Sequence, residues 1–247
     1  MKKTLLPATL FAFFLFTACK KNNETPSTGS ASLPKTYTED IRSTGFNSLT
    51  TYNLTYDGNN RMTSMTAIPE PAIVKFVYNY SSNNSLTMDL YNSNVLSIHE
   101  ILWLNASGSL DSTYQYNDTN DSSTEKYIYN SSKQILQIKN YKYSTSGSAL
   151  DHTTEYTYDN LGNAITESIS NGTLTNFTYY TNMPNTLTMG LTFNPQAKYL
   201  IKTASSSSSG TPVTATHFYS FDSSNRLIKD SAVTTGVSAI LIKSYTY

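Results

Sequence analysis

The side chains of this 247-residue chain that could do chemistry are three histidines, one cysteine, one tryptophan and aspartates placed behind aromatic residues. His99, His152 and His217 show no metal-ligand spacing, so they are expected as scattered strand residues, and neither a metal site nor a cofactor is expected. Asp57, Asp159 and Asp222 each directly follow a tyrosine or phenylalanine and precede small polar residues. Such carboxylates could hold calcium or serve a hydrolase, but a constant place at a strand end is what a turn requires. There the side-chain oxygen accepts hydrogen bonds from nearby backbone amides. Serine is abundant enough to make chance triads certain, none has an identifying context, and glycine-rich phosphate loops are absent. Trp103, in Leu102-Trp103-Leu104, could stack on a sugar ring, but an apolar strand triplet reads as core. No reaction is legible, and the chain is read as a non-enzyme.

Cys19 is the one thiol, so disulfides cannot staple the fold. Before it come Lys2 and Lys3, an apolar run from Leu5 to Phe16, and the small residues Thr17 and Ala18. This is the layout of a secretory signal, with an apolar run too short to span a bilayer stably. The junction resembles the lipobox of bacterial lipoproteins matured by signal peptidase II, with Phe16 where leucine is more usual. That resemblance implies a signal peptide over 1–18 and lipidation of Cys19. Residues 19–36 are polar, with Pro26, Gly29 and Pro34, and read as a flexible tether. Two or more acyl chains would hold the protein to a membrane without spanning it. No acidic cluster resembling a surface-export signal follows Cys19. The expected location is therefore the outer membrane, lipid-anchored on the periplasmic side, with the cell surface as second choice.

The elements that must position these residues follow from composition. Seventeen basic and 17 acidic residues balance, which leaves no electrostatic footprint for nucleic acid. Twenty tyrosines and 10 phenylalanines sit among many Ser, Thr and Asn residues, a mixture that favours strands and turns over helices. Aromatic pairs at i, i+2 are followed by Asp or Asn and a polar turn. The anchors Tyr56, Tyr80, Leu104 and Tyr129 recur at steps of 24, 24 and 25 residues. Such a period marks a repeat architecture. Residues i and i+2 share a strand face, so each unit is a β-hairpin with an aromatic face that must pair with its neighbours. Tyr56, Tyr80, Tyr129, Tyr158 and Phe221 are expected as repeat-core aromatics, with Asp57, Asp159, Asp222 and Gly162 as turn residues. The fold expected over 37–247 is all-β, an antiparallel meander of about seven such hairpins. They would form one twisted, curled sheet, open or closing toward a barrel. A weak copy, Tyr180 to Asn185, is followed by a longer connection, Thr186 to Lys202 with Pro195. Ser205 to Ser209 with Gly210 reads as a flexible hairpin tip.

Tyr158-Asp159-Asn160-Leu161-Gly162-Asn163, Tyr56-Asp57 and Phe221-Asp222 resemble the YD repeats of the RHS family. Overall the chain resembles the small YD-repeat lipoproteins of Bacteroidetes, whose functions are mostly uncharacterised. The large shell and toxin cargo of full RHS proteins are not carried over, because the chain is too short and ends on a strand-like Ser244-Tyr245-Thr246-Tyr247. The expected role is a membrane-anchored, non-catalytic binding or scaffolding module of the cell envelope, with a glycan or an envelope protein as partner. The alternative is an envelope glycan-active hydrolase with carboxylates gathered in a cleft of the sheet.

Overall fold

A computed structural model describes residues 32–68, 74–82, 84–117, 122–144, 147–189, 191, 197–208, 210–236 and 239–247. Cys19, the signal segment and most of the expected tether lie outside the described residues. The regular elements among the described residues are all strands. They are β1 (Thr36–Ser43), β2 (Phe46–Tyr56), β3 (Met62–Ile68), β4 (Val74–Asn79), β5 (Ser85–Asn92), β6 (Val95–Leu104), β7 (Leu110–Asn117) and β8 (Ser122–Tyr129). They continue with β9 (Ile135–Ser144), β10 (Gly147–Tyr158), β11 (Ala164–Ile169), β12 (Thr173–Pro184), β13 (Tyr199–Ser207), β14 (Val213–Phe221), β15 (Leu227–Thr235) and β16 (Ala239–Thr246).

Each strand pairs antiparallel with the next, and β16 returns to pair with β1 from Thr36↔Thr246 to Arg42↔Ile240, closing a barrel. Closure leaves no free sheet edge. Seven hairpins cover 14 strands and are too few for this ring of 16. The two omitted strands are β1 and β16, which pair across the chain ends; the turns that join them to β2 and β15 carry Gly45 and Gly236 at positive φ but no aromatic-Asx pair.

One rim carries the Asx turns that the aromatic-aspartate motifs mark. In five of them the Asx residue (Asp57, Asn105, Asn130, Asp159 or Asp222) does the same work. Its Oδ1 accepts from the amides two and four residues later, at 2.8–3.1 Å. Its own amide donates to the carbonyl four residues on, closing the reversal. The third residue after each Asx has positive φ: Asn60, Gly108, Lys133, Gly162 and Asn225. Gly162, at φ 90°, tolerates this because it has no Cβ. A β-bulge follows each turn, with Thr63, Asp111, Leu136, Ile165 and Ile228 as the extra residues, opposite Thr55/Tyr56, Trp103/Leu104, Ile128/Tyr129, Thr157/Tyr158 and Ser220/Phe221.

Tyrosine hydroxyls stitch repeat to repeat along this rim. Tyr80, Tyr129, Tyr158 and Tyr247 donate to the carbonyls of Met62, Leu110, Ile135 and Leu227 at 2.6–3.0 Å. Tyr56 donates to Pro34 O at 2.8 Å, which ties down the entering chain. Phe221 has no hydroxyl, and Tyr219 makes the equivalent bond to Ile201 O instead. Arg61 and Arg226 each bond the Asx carboxylate of their own turn and lie over the next ring, Tyr80 at 4.2 Å and Tyr247 at 4.4 Å.

Strand periodicity of two sorts the side chains into an inner and an outer set. The inner set near the turn rim forms the core: Tyr37, Tyr52, Leu54, Met62, Leu200, Leu227 and Tyr245 in one cluster, Leu86, Leu102 and Leu110 in a second, Ile135, Ile138, Tyr156 and Ala164 in a third. A ring of this strand number usually leaves a channel. Here the connection between β12 and β13 helps to fill it. Leu187, Met189 and Leu191 pack on the first cluster, and Leu191 also on the second. The weak copy at Tyr180 to Asn185 is therefore mostly strand, since β12 runs on to Pro184. Asn185 takes the Asx place, its amide donating to Lys198 O across the inserted segment. The serine run is not simply a hairpin tip: Ser205 and Ser206 pair within β13, while Ser209 lies outside the described residues.

Candidate functional site

Two regions of the wall concentrate polar and aromatic chemistry. The first is inside, at mid-height, where Glu39, Glu100, Glu125, Glu167 and Asp230 all occupy inward positions. Each has a partner. Tyr37, Tyr127 and Tyr156 donate their hydroxyls to Glu39, Glu125 and Glu167 at 2.5–3.0 Å. Glu125 also accepts from Asn140 Nδ2, Glu100 bonds the Thr113 side chain, and Asp230 meets His217 Nδ1 at 2.9 Å. Burial and then the Glu125 charge push the Glu100 carboxyl up to about 7. Burial pushes the Tyr37, Tyr127 and Tyr156 phenols well above their ordinary range, reinforced by the carboxylates they bond. Lys243, opposite both Glu39 and Asp230, is lowered by desolvation.

The second region is outside, on β6 to β10. Cross-strand pairing lines up His99, Tyr116, Ser122, Tyr143 and Ser148 in one row. Ile101, Tyr114, Thr124, Tyr141 and Leu150 form the next. Trp103, Ser112, Lys126, Lys139 and Thr153 form a third, nearer the turn rim. Trp103, Tyr116 and Tyr143 are each about 40 % exposed, far above what a core ring shows. The rings support one another: His99–Tyr116 centroids are 5.0 Å apart, and Tyr114 lies 6.1 Å from both Tyr116 and Tyr143. Asp89 holds His99 Nδ1, and Thr124 Oγ1 donates to the Tyr143 hydroxyl at 3.2 Å. A shallow depression beside this cluster is lined by Leu96, Ser97, His99, Tyr116 and Asn117.

Comparison with known proteins bears on the fold alone. No family model and no curated protein matches the sequence. Among solved structures, the chain is similar to a porin-like protein from Bacteroides uniformis ATCC 8492, with a TM-score of 0.62 at 13 % identity. That match covers 86 % of this chain and 96 % of the other. A porin-like protein from Bacteroides vulgatus ATCC 8482 matches with a TM-score of 0.57 at 10 % identity, covering 87 % and 99 %.

Tyr56, Tyr80, Tyr129 and Tyr158 lie at the turn rim with their hydroxyls bonded as described, and Asp57, Asp159, Asp222 and Gly162 build the turns. The histidines do not converge: His99 faces out beside Asp89, His152 bonds its neighbour Asp151, and His217 faces in to Asp230. Among the described residues no cluster of metal-ligating side chains occurs. Trp103, expected in the core, is on the outer wall, because plain strand alternation turns it out between the inward Leu102 and Leu104. Sequence reasoning also passed over Tyr114, Tyr116, Tyr141 and Tyr143. The i, i+2 tyrosine spacing was visible, but the post-turn bulges reverse its phase: Leu110 and Ile135 point in, yet Tyr114 and Tyr141 point out.

Proposed function

We infer that the protein is a lipid-anchored, non-catalytic binding module of the bacterial cell envelope whose barrel stands in water rather than crossing the bilayer. The observation that carries this is the set of charged and hydroxyl side chains on the outer wall, standing among exposed apolar ones such as Leu49, Leu150 and Phe218. A membrane barrel presents an apolar band outside and polar groups inside. Here the outer positions hold hydroxyl pairs such as Thr38–Thr51, Thr157–Thr166 and Thr178–Thr203, at 2.5–3.0 Å. They also hold Lys75, Asp89, Lys126, Lys139 and Lys229. A lysine facing lipid at mid-depth costs about 2–4 kcal/mol, and several together would prevent insertion. The inside is apolar at the turn rim and packed by Leu187, Met189 and Leu191, so a pore reading has little support.

A membrane link then falls to Cys19. The chain enters the barrel at the turn rim, where Pro34 is held, so a tether from Cys19 would set that rim toward the membrane. Both the outer membrane and its periplasmic face remain part of this proposal. Replacing Cys19→Ala should abolish lipid labelling and move the protein from the membrane to the soluble fraction. Membrane retention of that variant would refute the anchored, water-exposed barrel.

The inner carboxylates favour a second reading, a glycan hydrolase using Glu100 and Glu125, since burial and then the Glu125 charge raise Glu100. It ranks lower because Glu125 already accepts from Tyr127 and Asn140. Glycan cleavage that disappears in Glu125→Gln would promote it.

A further inference from the structure

We propose that the outer wall of β6–β10 binds an anionic polysaccharide, its sugar rings stacking on Trp103, Tyr116 and Tyr143 and its acidic groups meeting Lys126 and Lys139. This rests on the binding-module reading above and names the ligand of that module. Ring chemistry comes first. The rings of the patch are tyrosine, tryptophan and histidine, with Ile101 and Leu150 beside them, so flat faces alternate with hydrogen-bonding edges. A pyranose needs that pairing, with its C–H face on an aromatic face and its hydroxyls within reach of polar tips. The platform is fixed in advance: Asp89 orients His99, Thr124 holds the Tyr143 hydroxyl, and Tyr114 wedges between Tyr116 and Tyr143. Preorganisation of this kind lowers the ordering cost of binding. From β6 to β9 the platform spans about 14 Å at ordinary strand spacing, enough for a few consecutive sugars.

Charge then selects among glycans. Lys126 and Lys139 are directly opposite on adjacent strands and face the same way. Like charges so placed repel. Among the described residues neither ammonium makes an ion pair, whereas Lys142, Arg61 and Arg226 each have a carboxylate. Lys126 lies over the Tyr141 ring at 5.8 Å, at the margin of the aromatic rows. An acidic substituent held between the two lysines would relieve their repulsion while its sugar rests on the rings.

A peptide fits this surface less well. The closed barrel offers no edge for strand addition, and the depression by Leu96 and His99 is too shallow to swallow an anchoring side chain. The membrane fits less well too, since Tyr116 and Tyr143 lie toward the rim opposite Pro34.

The test uses full-length lipoprotein in detergent micelles, titrated with polygalacturonate, with its fully methyl-esterified form, with chondroitin sulfate, and with poly-glutamate. Binding is followed by Trp103 fluorescence and by calorimetry. Expected is saturable binding of at least one of the two acidic glycans that weakens as salt is raised. Esterified polygalacturonate and poly-glutamate should bind at least tenfold more weakly. Tyr116→Ala/Tyr143→Ala should weaken binding at least tenfold with an unchanged circular dichroism spectrum, and Lys126→Gln/Lys139→Gln should remove most of the salt dependence. Failure of both acidic glycans to bind, equal binding of poly-glutamate, or indifference to the tyrosine pair would overturn the proposal. The anchored-barrel reading would stand in each case, because its fractionation test does not involve this patch.

Discussion

Asp159 shows how much one side chain decides here. Its Oδ1 accepts from the Leu161 and Asn163 amides at 2.9 and 2.8 Å, and its Oδ2 from Asn163 Nδ2 at 2.9 Å. Removing a comparable cap costs about 1–2 kcal/mol in helices, and buried amides left unpaired cost as much. Asp159→Ala should therefore lower stability by about 1–2 kcal/mol in chemical denaturation, while Asp159→Asn, which keeps Oδ1, should lose less than half of that. Equal losses would show that the carboxylate's charge, not its acceptor, matters. This role was legible because it is local: the aspartate, its turn and its amide partners lie within five residues. The inner glutamates were illegible for the opposite reason, since Glu100 and Glu125 meet only through the pairing of β6, β7 and β8. Glu100, raised from 4.5 to about 7, carries a charge its site disfavours. For an acid raised in the folded state, the penalty is absent below the unfolded pKa, grows between about 4.5 and 7, and is complete above. Glu100→Gln should then stabilise the protein by up to about 3 kcal/mol at pH 8 and by little at pH 4. Parallel stability-versus-pH curves for the two proteins would contradict this.

At the level of elements, the strands announced themselves through alternation, and the turns through Asx residues followed by a residue that accepts positive φ. What failed was phase. A bulge after each turn turns two consecutive residues against one, so a face counted from the turn is wrong two residues later. The outer tyrosines were merged with the inner ones for that reason, whereas Trp103 was misplaced because its apolar neighbours Leu102 and Leu104, both inward, hid plain alternation. The connection from Asn185 to Lys198 failed differently. Its proline and its length marked only a longer connection, but Leu187, Met189 and Leu191 recur at every second residue, a sign that one face is buried. Leu191 touches two core clusters, so Leu191→Ser should destabilise by about 2–3 kcal/mol. Leu174→Ser, at an outward position 39 % exposed, should cost under about 1 kcal/mol. Comparable midpoints for the two variants in urea would mean that the segment does not fill the barrel.

Closure belongs to the whole molecule, and nothing local encodes it. A meander of hairpins can remain an open, curled sheet or close, and the choice is made by whether the first and last strands meet. Here they meet through 7 residue pairs, with Tyr37 stacked between Tyr52 and Tyr245 at 5.8 and 5.6 Å. Those three rings sit on β2, β1 and β16, so the seam has a continuous aromatic core rather than a bare ladder. An open sheet would leave β1 and β16 as long edges, a template for aggregation that natural proteins avoid. The seam is directly testable because the chain has a single cysteine, Cys19, ahead of the first strand in sequence. Thr38 and Ser244 are directly opposite and both face out, so Thr38→Cys/Ser244→Cys, in a Cys19→Ala background, places two thiols on neighbouring strands without touching the core. Mild oxidation should link them within the folded monomer. Because the bond would close nearly the entire chain into one loop, it should raise stability by a few kcal/mol, in the range of about 2–4. The control pair Thr38→Cys/Thr157→Cys is not cross-strand paired, and it should stay reduced. If the seam pair links only between molecules, or not at all, the sheet is open, and the division of side chains into an inner and an outer set loses its basis.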